Sequence, residues 1–475
     1  MFFLHKGKGS KSEPGNYRSI NVQNPLMKIF CSILASRLSE FAEMTNLLPC
    51  FQFGFRRKRS TISAAALLHE VVDTRLKAGQ RTYACFVDFS KAFDKIDRTL
   101  LFNKLQRMAI PFKFCSILFN IFNQTRIFIQ SGNSLSKPFS SNIGTPQGDS
   151  IAAILFSLFL SDLEYSLPDI GPMLNGIRIS AIMYADDIVL LAENAADLQK
   201  MLTVLHGYCL ENKLEVNVGK TKCMIFHRGR CPAASFTYSG NKIDIVKSFT
   251  YLGFVYTVQL AFSQHVEKLI AKGRSRIGQL YARLPLTNLS LELVLKVFHL
   301  YVTPIFLYGL AMYFPKCSNS SKQAMDALFT KFIKRYLQIP PWSNNAVTYF
   351  ITETIPFSSF LAMRTTQQFT GLVFPQCLSG LKISFLSQLN DSPSSTNFNS
   401  IQNIPSSFWC SRTFTKLPSN AFYRKQLTHE IYDMHHRELC GVQAFHKFYE
   451  PTCICLSCGE HAHPYHERYC QPKEN

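Results

Sequence analysis

The sequence predicts a mixed α/β chain that turns helical in its later half and closes in a small Cys/His-rich tail. Three observations carry this prediction. Short β-rich runs, two of them flanking Tyr184-Ala185-Asp186-Asp187, mark strands joined by a hairpin with acids at its tip. From about Gln264 apolar residues recur at helical spacing. Cysteines and histidines crowd the last twenty residues. The length, 475 residues, allows about two to four domains. With 47% apolar and 13% aromatic residues the chain is rich enough to bury a core, which excludes global disorder.

The elements follow in order. Lys6, Lys8 and Lys11 make a basic start, and Pro14-Gly15-Asn16 is a turn signal. Residues 26–41 have a helical pattern, and a basic run at 56–59 follows. Residues 83–87 read as a short buried strand ending at Asp88. Gly144-Thr145-Pro146-Gln147-Gly148 is a loop, and 151–163 is apolar and of helix length. Residues 177–183 and 188–192 are the hairpin strands. Asn194 is placed to cap a helix whose Leu198, Leu202, Leu205 and Cys209 share one face. Residues 216–226 and 249–255 read as further strands, and 291–301 and 322–337 as helices. Residues 297–314 are the longest apolar stretch; His299, Pro304 and Gly309 within it favour a buried helix and turn over a membrane span. Residues 387–407, rich in Ser, Asn and Pro, read as a flexible connector.

Basic side chains outnumber acidic ones 51 to 31, giving +20, and such an excess favours a polyanionic partner through counterion release. Solubility or a membrane-surface preference is the plainer reading. The fifteen cysteines are odd in number, and no secretory signal opens the sequence. An intracellular, reduced setting, nucleus and cytoplasm, is therefore expected, with no membrane partner and any Cys cluster read as a metal site.

Three carboxylates concentrate the chemistry: Asp88 at a strand end, and Asp186 and Asp187 in the hairpin. Extending a 3′-hydroxyl is served by two Mg²⁺ ions about 4 Å apart, which stabilise the attacking and leaving oxygens. Mg²⁺ takes a few carboxylate oxygens and leaves its other positions to water and phosphate. An isolated strand-end aspartate is more often a turn or cap residue. The ordered set of motifs decides the matter.

Phe86-Val87-Asp88-Phe89-Ser90-Lys91-Ala92-Phe93-Asp94 closely resembles the first catalytic motif of non-LTR (LINE-type) retrotransposon reverse transcriptases. Gly144-Thr145-Pro146-Gln147-Gly148-Asp149 resembles their template-and-nucleotide loop, and Tyr184-Ala185-Asp186-Asp187 their second catalytic motif. Asn217-Val218-Gly219-Lys220-Thr221-Lys222 and Tyr251-Leu252-Gly253 are similar to the next motif and the primer-grip turn. Asn16-Tyr17-Arg18-Ser19-Ile20 and Gln52-Phe53-Gly54-Phe55-Arg56 are similar to the fingers motifs. The blocks stand in the family's order. Ser19, where the family commonly has proline, and the run Asp149-Ser150-Ile151 are mild departures.

The resemblance implies a right-hand polymerase: fingers (1–80), a palm with an antiparallel sheet (81–245), a helical thumb (246–345), a connector (346–435) and a zinc-finger-like tail (436–475). It implies that Asp88 and Asp186 ligate two Mg²⁺ ions, with Asp187 an outer ligand. Phe93 would exclude a ribose 2′-hydroxyl, and Arg18 would grip the triphosphate bidentately, with Lys6 or Lys8 assisting. Gln147 and Gly148 would let the backbone approach the base pair. Lys220 matches a proton donor to pyrophosphate, with a solvated surface lysine as the plain alternative. The partners implied are an RNA template, a DNA primer or target and deoxynucleoside triphosphates; no oligomeric state is implied.

The run 56–59 and the repeat Lys268, Lys272 and Arg276 would face phosphates from fingers and thumb, largely without sequence preference. In the tail, Cys455-x2-Cys458-x7-His466-x3-Cys470 offers thiolates and an imidazole spaced for tetrahedral Zn²⁺, with Cys453, His461 and His463 as alternative ligands. It resembles the Cys-Cys-His-Cys finger that follows the polymerase in non-LTR elements. The activity expected is RNA-directed DNA polymerisation; the alternative is a decayed or domesticated copy that only binds nucleic acid. No endonuclease pattern flanks the motifs, so the chain reads as part of a longer open reading frame.

Overall fold

Extended residues open the chain. In the computed structural model, which describes residues 1–7, 9–145, 148–352 and 354–371, β1 (Phe2–His5) pairs antiparallel with β2 (Tyr17–Ile20), setting Leu4 opposite Arg18. Asn24 accepts from Leu26 N to cap α1 (Pro25–Met44). Pro25 sits where a helix has no use for an N–H. Ser60 caps α2 (Thr61–Lys77), which is buried from Ser63 to Leu76 except at Thr74. Every residue of β3 (Thr82–Val87) is buried, as an apolar run covered on both faces requires.

Helices α3 (Arg98–Arg107) and α4 (Phe112–Gln124) follow, then the small ribbon of β4 (Gln130–Ser131) and β5 (Ser134–Leu135). Asp149 accepts from Ile151 N and caps α5 (Ser150–Phe159), whose apolar surface is buried almost all round. The short α6 (Leu163–Ser166) and the ribbon of β6 (Met173–Leu174) and β7 (Ile177–Arg178) lead to β8 (Ala181–Tyr184) and β9 (Asp187–Ala192). α7 (Ala195–Glu211) is capped by Asn194, as its sequence predicts, and buries Leu198, Leu202, Leu205 and Cys209. Next come β10 (Lys222–Phe226), β11 (Phe236–Tyr238), β12 (Asn241–Ile245), β13 (Ser248–Tyr251) and β14 (Phe254–Thr257).

The main sheet has the order β11-β12-β10-β3-β9-β8, antiparallel except for the parallel pair β10 and β12. Its central strand is β3. One face carries Cys85, Val87, Ile188 and Leu190 into a core shared with α1, α5 and α7, through Leu34, Phe156 and Leu202 among others. Burying each such side chain is worth about 1.5–3 kcal/mol.

Three sequence expectations need correction. Residues 177–183 are two short strands, because Ile179 N turns aside to Pro172 O and Ser180 Oγ to Ile170 O. In the stretch 216–226 only Lys222–Phe226 is a strand; Lys220 N and Thr221 N both fold back onto Asn217 O. Residues 249–255 are two strands reversing at Leu252-Gly253, both with positive φ (44° and 86°).

These elements form one unit, Met1–Phe262; Ser263–Gly371 belong to a second. In the second, α8 (Ser263–Arg283) buries Val266, Leu269, Ile270 and Leu280 and exposes Lys268, Lys272 and Arg276. α9 (Leu291–Tyr301), α10 (Thr303–Leu307) and α11 (Leu310–Tyr313) bury Phe298, Phe306 and Tyr313, which fits the buried helix and turn expected for 297–314. α12 (Asn319–Tyr336), α13 (Asn345–Thr352) and α14 (Phe357–Gly371) complete it. No single described helix is long and apolar enough to cross a membrane; Leu291–Leu307 and Leu310–Lys316 pass only as a pair bent by 57°. Lys8, Gln147, the segment 387–407 and the tail bearing Cys455, Cys458, His466 and Cys470 lie outside the described residues.

Candidate active site

Sheet register brings the acids together. Val87 pairs with Ile188 across β3 and β9, so the next positions outward are Asp88 and Asp187. Asp186 lies one residue away, in the two-residue turn between the paired Tyr184 and Asp187. That turn takes positive φ at its first residue, Ala185 (58°). Asp88 is tied down through its main chain: its N–H donates to Thr221 Oγ1 at 3.2 Å, and its carbonyl accepts from Asn217 N at 2.7 Å.

The electrostatics are those of crowded like charges. Burial pushes the Asp187 carboxyl up to about 6, and the neighbouring Asp186 and Asp88 push in the same direction. Asp186 is raised chiefly by burial, with Asp88 adding to it. Asp187 is nonetheless an exposed residue by surface area, so part of this crowding is relieved by solvent. Lys220 Nζ stands 3.4 Å from Asp88 Oδ2, a buried oxygen with no hydrogen-bond partner. An oxygen without a hydrogen bond, faced by an ammonium and set beside two carboxyls of raised pKa, suits a cation. Among the described residues no three His, Cys, Asp or Glu side chains close on one point as a ligand cage. Mg²⁺ does not need one, since it usually takes one or two carboxylates and completes its shell with water and phosphate.

Asp88 and Asp186 open into a cleft of about 1670 Å³ that also holds Lys6, Arg18, Lys28, Phe93, Gly148 and Lys220. Arg18 projects from β2 and is exposed. Phe93 is half-buried in the 3-10 turn Ala92–Asp94, stacked on Phe156 with ring centroids 4.3 Å apart. Gly148 has φ +103°, and a Cβ there would meet Asn21 O at 2.7 Å, so the position requires glycine. The sequence-predicted residues Asp88, Asp186, Phe93, Arg18, Gly148 and Lys220 thus line one cleft, and Asp187 flanks it; Gln147 lies outside the described residues.

Arg98 was not singled out from the sequence, and Asp149 was read there only as part of a motif and a mild departure from the family pattern. Arg98, half-buried, donates from Nε to Gly144 O at 2.9 Å and from Nη1 to Ser141 O, with its guanidinium 5.0 Å from the Phe122 ring centre. It fastens the approach to Gly148. Gly144 N and Thr145 N donate to Ile96 O (2.8 Å) and Phe93 O (2.9 Å), docking the loop on the turn that carries Phe93. Asp149 is 6% exposed and accepts from Gln23 Nε2 at 2.7 Å, joining α5 to the segment before α1. An arginine opening a helix, or an aspartate before one, gives no local signal of such a task.

In the basic run 56–59, Arg57 and Lys58 are exposed, whereas Arg56 and Arg59 are engaged within the fold. Arg56 pairs with Glu43 at 2.6 Å and donates to Pro49 O, with 7% of its side chain exposed. Arg59 donates to the carbonyls of Cys50 and Gln52. Arg57 pairs with Glu40 at 2.9 Å. Arg56 and Arg59 thus hold the loop together through Glu43 and main-chain carbonyls, while the Arg57–Glu40 pair lies at the surface. Lys268, Lys272 and Arg276 do lie on an exposed helix face.

Comparison with known proteins identifies relatives of this chain. The family model described as "Reverse transcriptase (RNA-dependent DNA polymerase)" matches residues 5–256. Among curated proteins, the probable RNA-directed DNA polymerase from transposon BS of Drosophila melanogaster is 28% identical over 66% of this chain and 35% of its own length. The RNA-directed DNA polymerase from mobile element jockey of the same species is 26% identical over 66% of this chain and 35% of its own. The Pol polyprotein from type-1 retrotransposable element R2 of Popillia japonica is 25% identical over 72% and 48%. The chain spans about a third of the length of the first two. Among solved structures, telomerase from Candida tropicalis in complex with a telomeric RNA fragment is similar at 12% identity and a TM-score of 0.37, over 77% of this chain and 56% of its own. With residues 5–256, more than half its length, matched, the chain belongs to the reverse transcriptase (RNA-dependent DNA polymerase) family.

Proposed function

We propose that this chain is the polymerase region of a non-LTR retrotransposon reverse transcriptase, extending a DNA primer 3′-hydroxyl on an RNA template with deoxynucleoside triphosphates. The observation that carries the reading is the meeting of Asp88, Asp186 and Asp187 at the end of two paired strands, beside a cleft bearing Arg18 and Phe93. Asp88 and Asp186 would hold divalent cations, with Asp187 as outer ligand. Bound Mg²⁺ would supply charge stabilisation to the attacking and leaving oxygens.

The remaining roles belong to the chain. Arg18 would bind triphosphate oxygens through its planar fork. Phe93, held by its stack on Phe156, would close the space a ribose 2′-hydroxyl needs. Lys220 is exposed apart from its contact with Asp88, so it is free to swing toward a leaving pyrophosphate and give up a proton. The Gly148 backbone would lie against the nascent base pair, and Gln147 beside it. The net charge of +20 supports binding of the template–primer duplex through its phosphates. In the tail, Cys455, Cys458, His466 and Cys470 would hold one structural Zn²⁺, to be read as one equivalent of zinc in the purified chain and its loss in Cys458→Ser.

Primer extension on an RNA template, before and after chelation of divalent cations, tests the proposal. Extension that stops with chelator and returns with Mg²⁺ is expected. Extension unaffected by chelator, or a wild-type chain that binds the duplex and never extends it, would contradict it.

A further inference from the structure

The tip of the β8–β9 hairpin is held by a side chain that none of the roles above uses. Gln52 is 1% exposed, and its Oε1 accepts hydrogen bonds from two main-chain amides, Gly54 N at 2.8 Å and Ala185 N at 3.0 Å. The same loop runs along β8, the edge strand of the main sheet. Phe53 N donates to Met183 O at 2.7 Å, and Met183 N donates to Phe51 O at 2.9 Å. A loop distant in sequence thus completes the sheet edge next to the acids. Gly54 comes so near that a Cβ there would stand 2.4 Å from Ala185 N.

Ala185 has need of such a partner. It is the first residue of the two-residue turn, 3% exposed, with φ 58°. In that turn the ladder bonds belong to the pair Tyr184 and Asp187, which leaves the Ala185 amide pointing away from the hairpin. A buried amide without an acceptor is costly, and a turn free to flip its first peptide would relieve that cost by changing shape. Gln52 supplies the acceptor. Because Asp186 is the next residue, the orientation of the Tyr184–Ala185 peptide governs where the acids leave the turn.

We propose that Gln52 is a positioning residue for the catalytic carboxylates: its amide oxygen locks the hairpin tip and so sets the affinity of the site for divalent cations. This rests on the reading of Asp88 and Asp186 as metal ligands given above. Gln52 touches neither cation nor nucleotide in this role; it acts through the Ala185 peptide.

The test compares the wild-type chain with Gln52→Met, which keeps the length and removes the acceptor. Two quantities are read: Mn²⁺ binding, followed by water-proton relaxation, and the Mg²⁺ dependence of primer extension. Misplacement of reacting groups by a fraction of an ångström to an ångström costs up to about a hundredfold in rate. Gln52→Met should therefore weaken Mn²⁺ binding and raise the Mg²⁺ half-saturation about tenfold, with kcat lowered and the nucleotide KM within about twofold of wild type. A folded variant with wild-type cation binding would overturn the proposal, whatever its kcat. Should the variant fail to fold, hydrogen exchange in the wild-type chain decides. The Ala185 amide should be strongly protected, and exchange at the rate of an open turn would overturn the proposal. A wild-type chain that binds no Mn²⁺ and extends no primer would instead sink the functional reading, which keeps the two failures apart.

Discussion

Asp187 illustrates how a crowded carboxyl can oppose the fold that carries it. Its carboxyl is pushed up to about 6 by burial and by Asp186 and Asp88. A raised folded-state pKa means that the stability contribution is present below the unfolded value, near 4, and is lost as pH rises through about 6. Above that range the ionised carboxyl works against the cation-free fold. Asp187→Asn should therefore melt higher than wild type at pH 7.5 without divalent cations. The difference should close near pH 4, where both are neutral, and shrink with added Mg²⁺. Equal melting temperatures at pH 7.5 would contradict the crowding. The three acids were legible in the sequence because each stood where a β-rich run ends, and the ordered motifs around them set aside the cap-or-turn alternative. Gln52 was quoted within a motif but its task was not legible. An amide that reaches across 133 residues to one peptide leaves no trace in local pattern.

Elements were readable where one periodic face was buried. α7, α9 and α12 present such a face and lie close to where their spacing places them. α2 is buried almost all round, with His69 and Glu70 inside, so it offers no stripe to read. The stretches 177–183, 216–226 and 249–255 were read as continuous strands because β-rich composition does not reveal where a main chain turns aside. The positive φ at Leu252, a residue that rarely adopts it, is the clearest instance. Among connections, the loop 141–145 depends on Arg98 and its bonds to Ser141 O and Gly144 O. Arg98→Ala should lose about 2–3 kcal/mol in urea unfolding, since bonds from a charged donor are worth about 1.5–3 kcal/mol each. Arg98→Lys should recover only part of this, because an ammonium cannot span both carbonyls. Full recovery by lysine would mean that charge alone, and not the fork, holds the loop.

For the molecule as a whole, a charge of +20 says that polyanions are favoured and leaves open which residues meet them. The arginines of 56–59 illustrate the difference: Arg56 and Arg59 are spent on Glu43 and on main-chain carbonyls. Lys268, Lys272 and Arg276 share an exposed face of α8. Each phosphate neutralised adds about −0.9 to the slope of log affinity against log salt. Replacing all three α8 cations by glutamine should flatten the slope for duplex binding by up to about 3. Arg56→Gln should lower stability and leave the slope unchanged. The opposite pattern would place Arg56 on the binding surface.

The most direct test of the central claim is single-turnover extension of a DNA primer on an RNA template, with Mg²⁺, by wild type, Asp88→Asn and Asp186→Asn. Duplex binding is measured alongside. Extension by wild type alone, with the duplex bound equally by all three, is the predicted result. Extension by either variant at a rate near wild type would contradict the assignment of the cation site to these carboxylates.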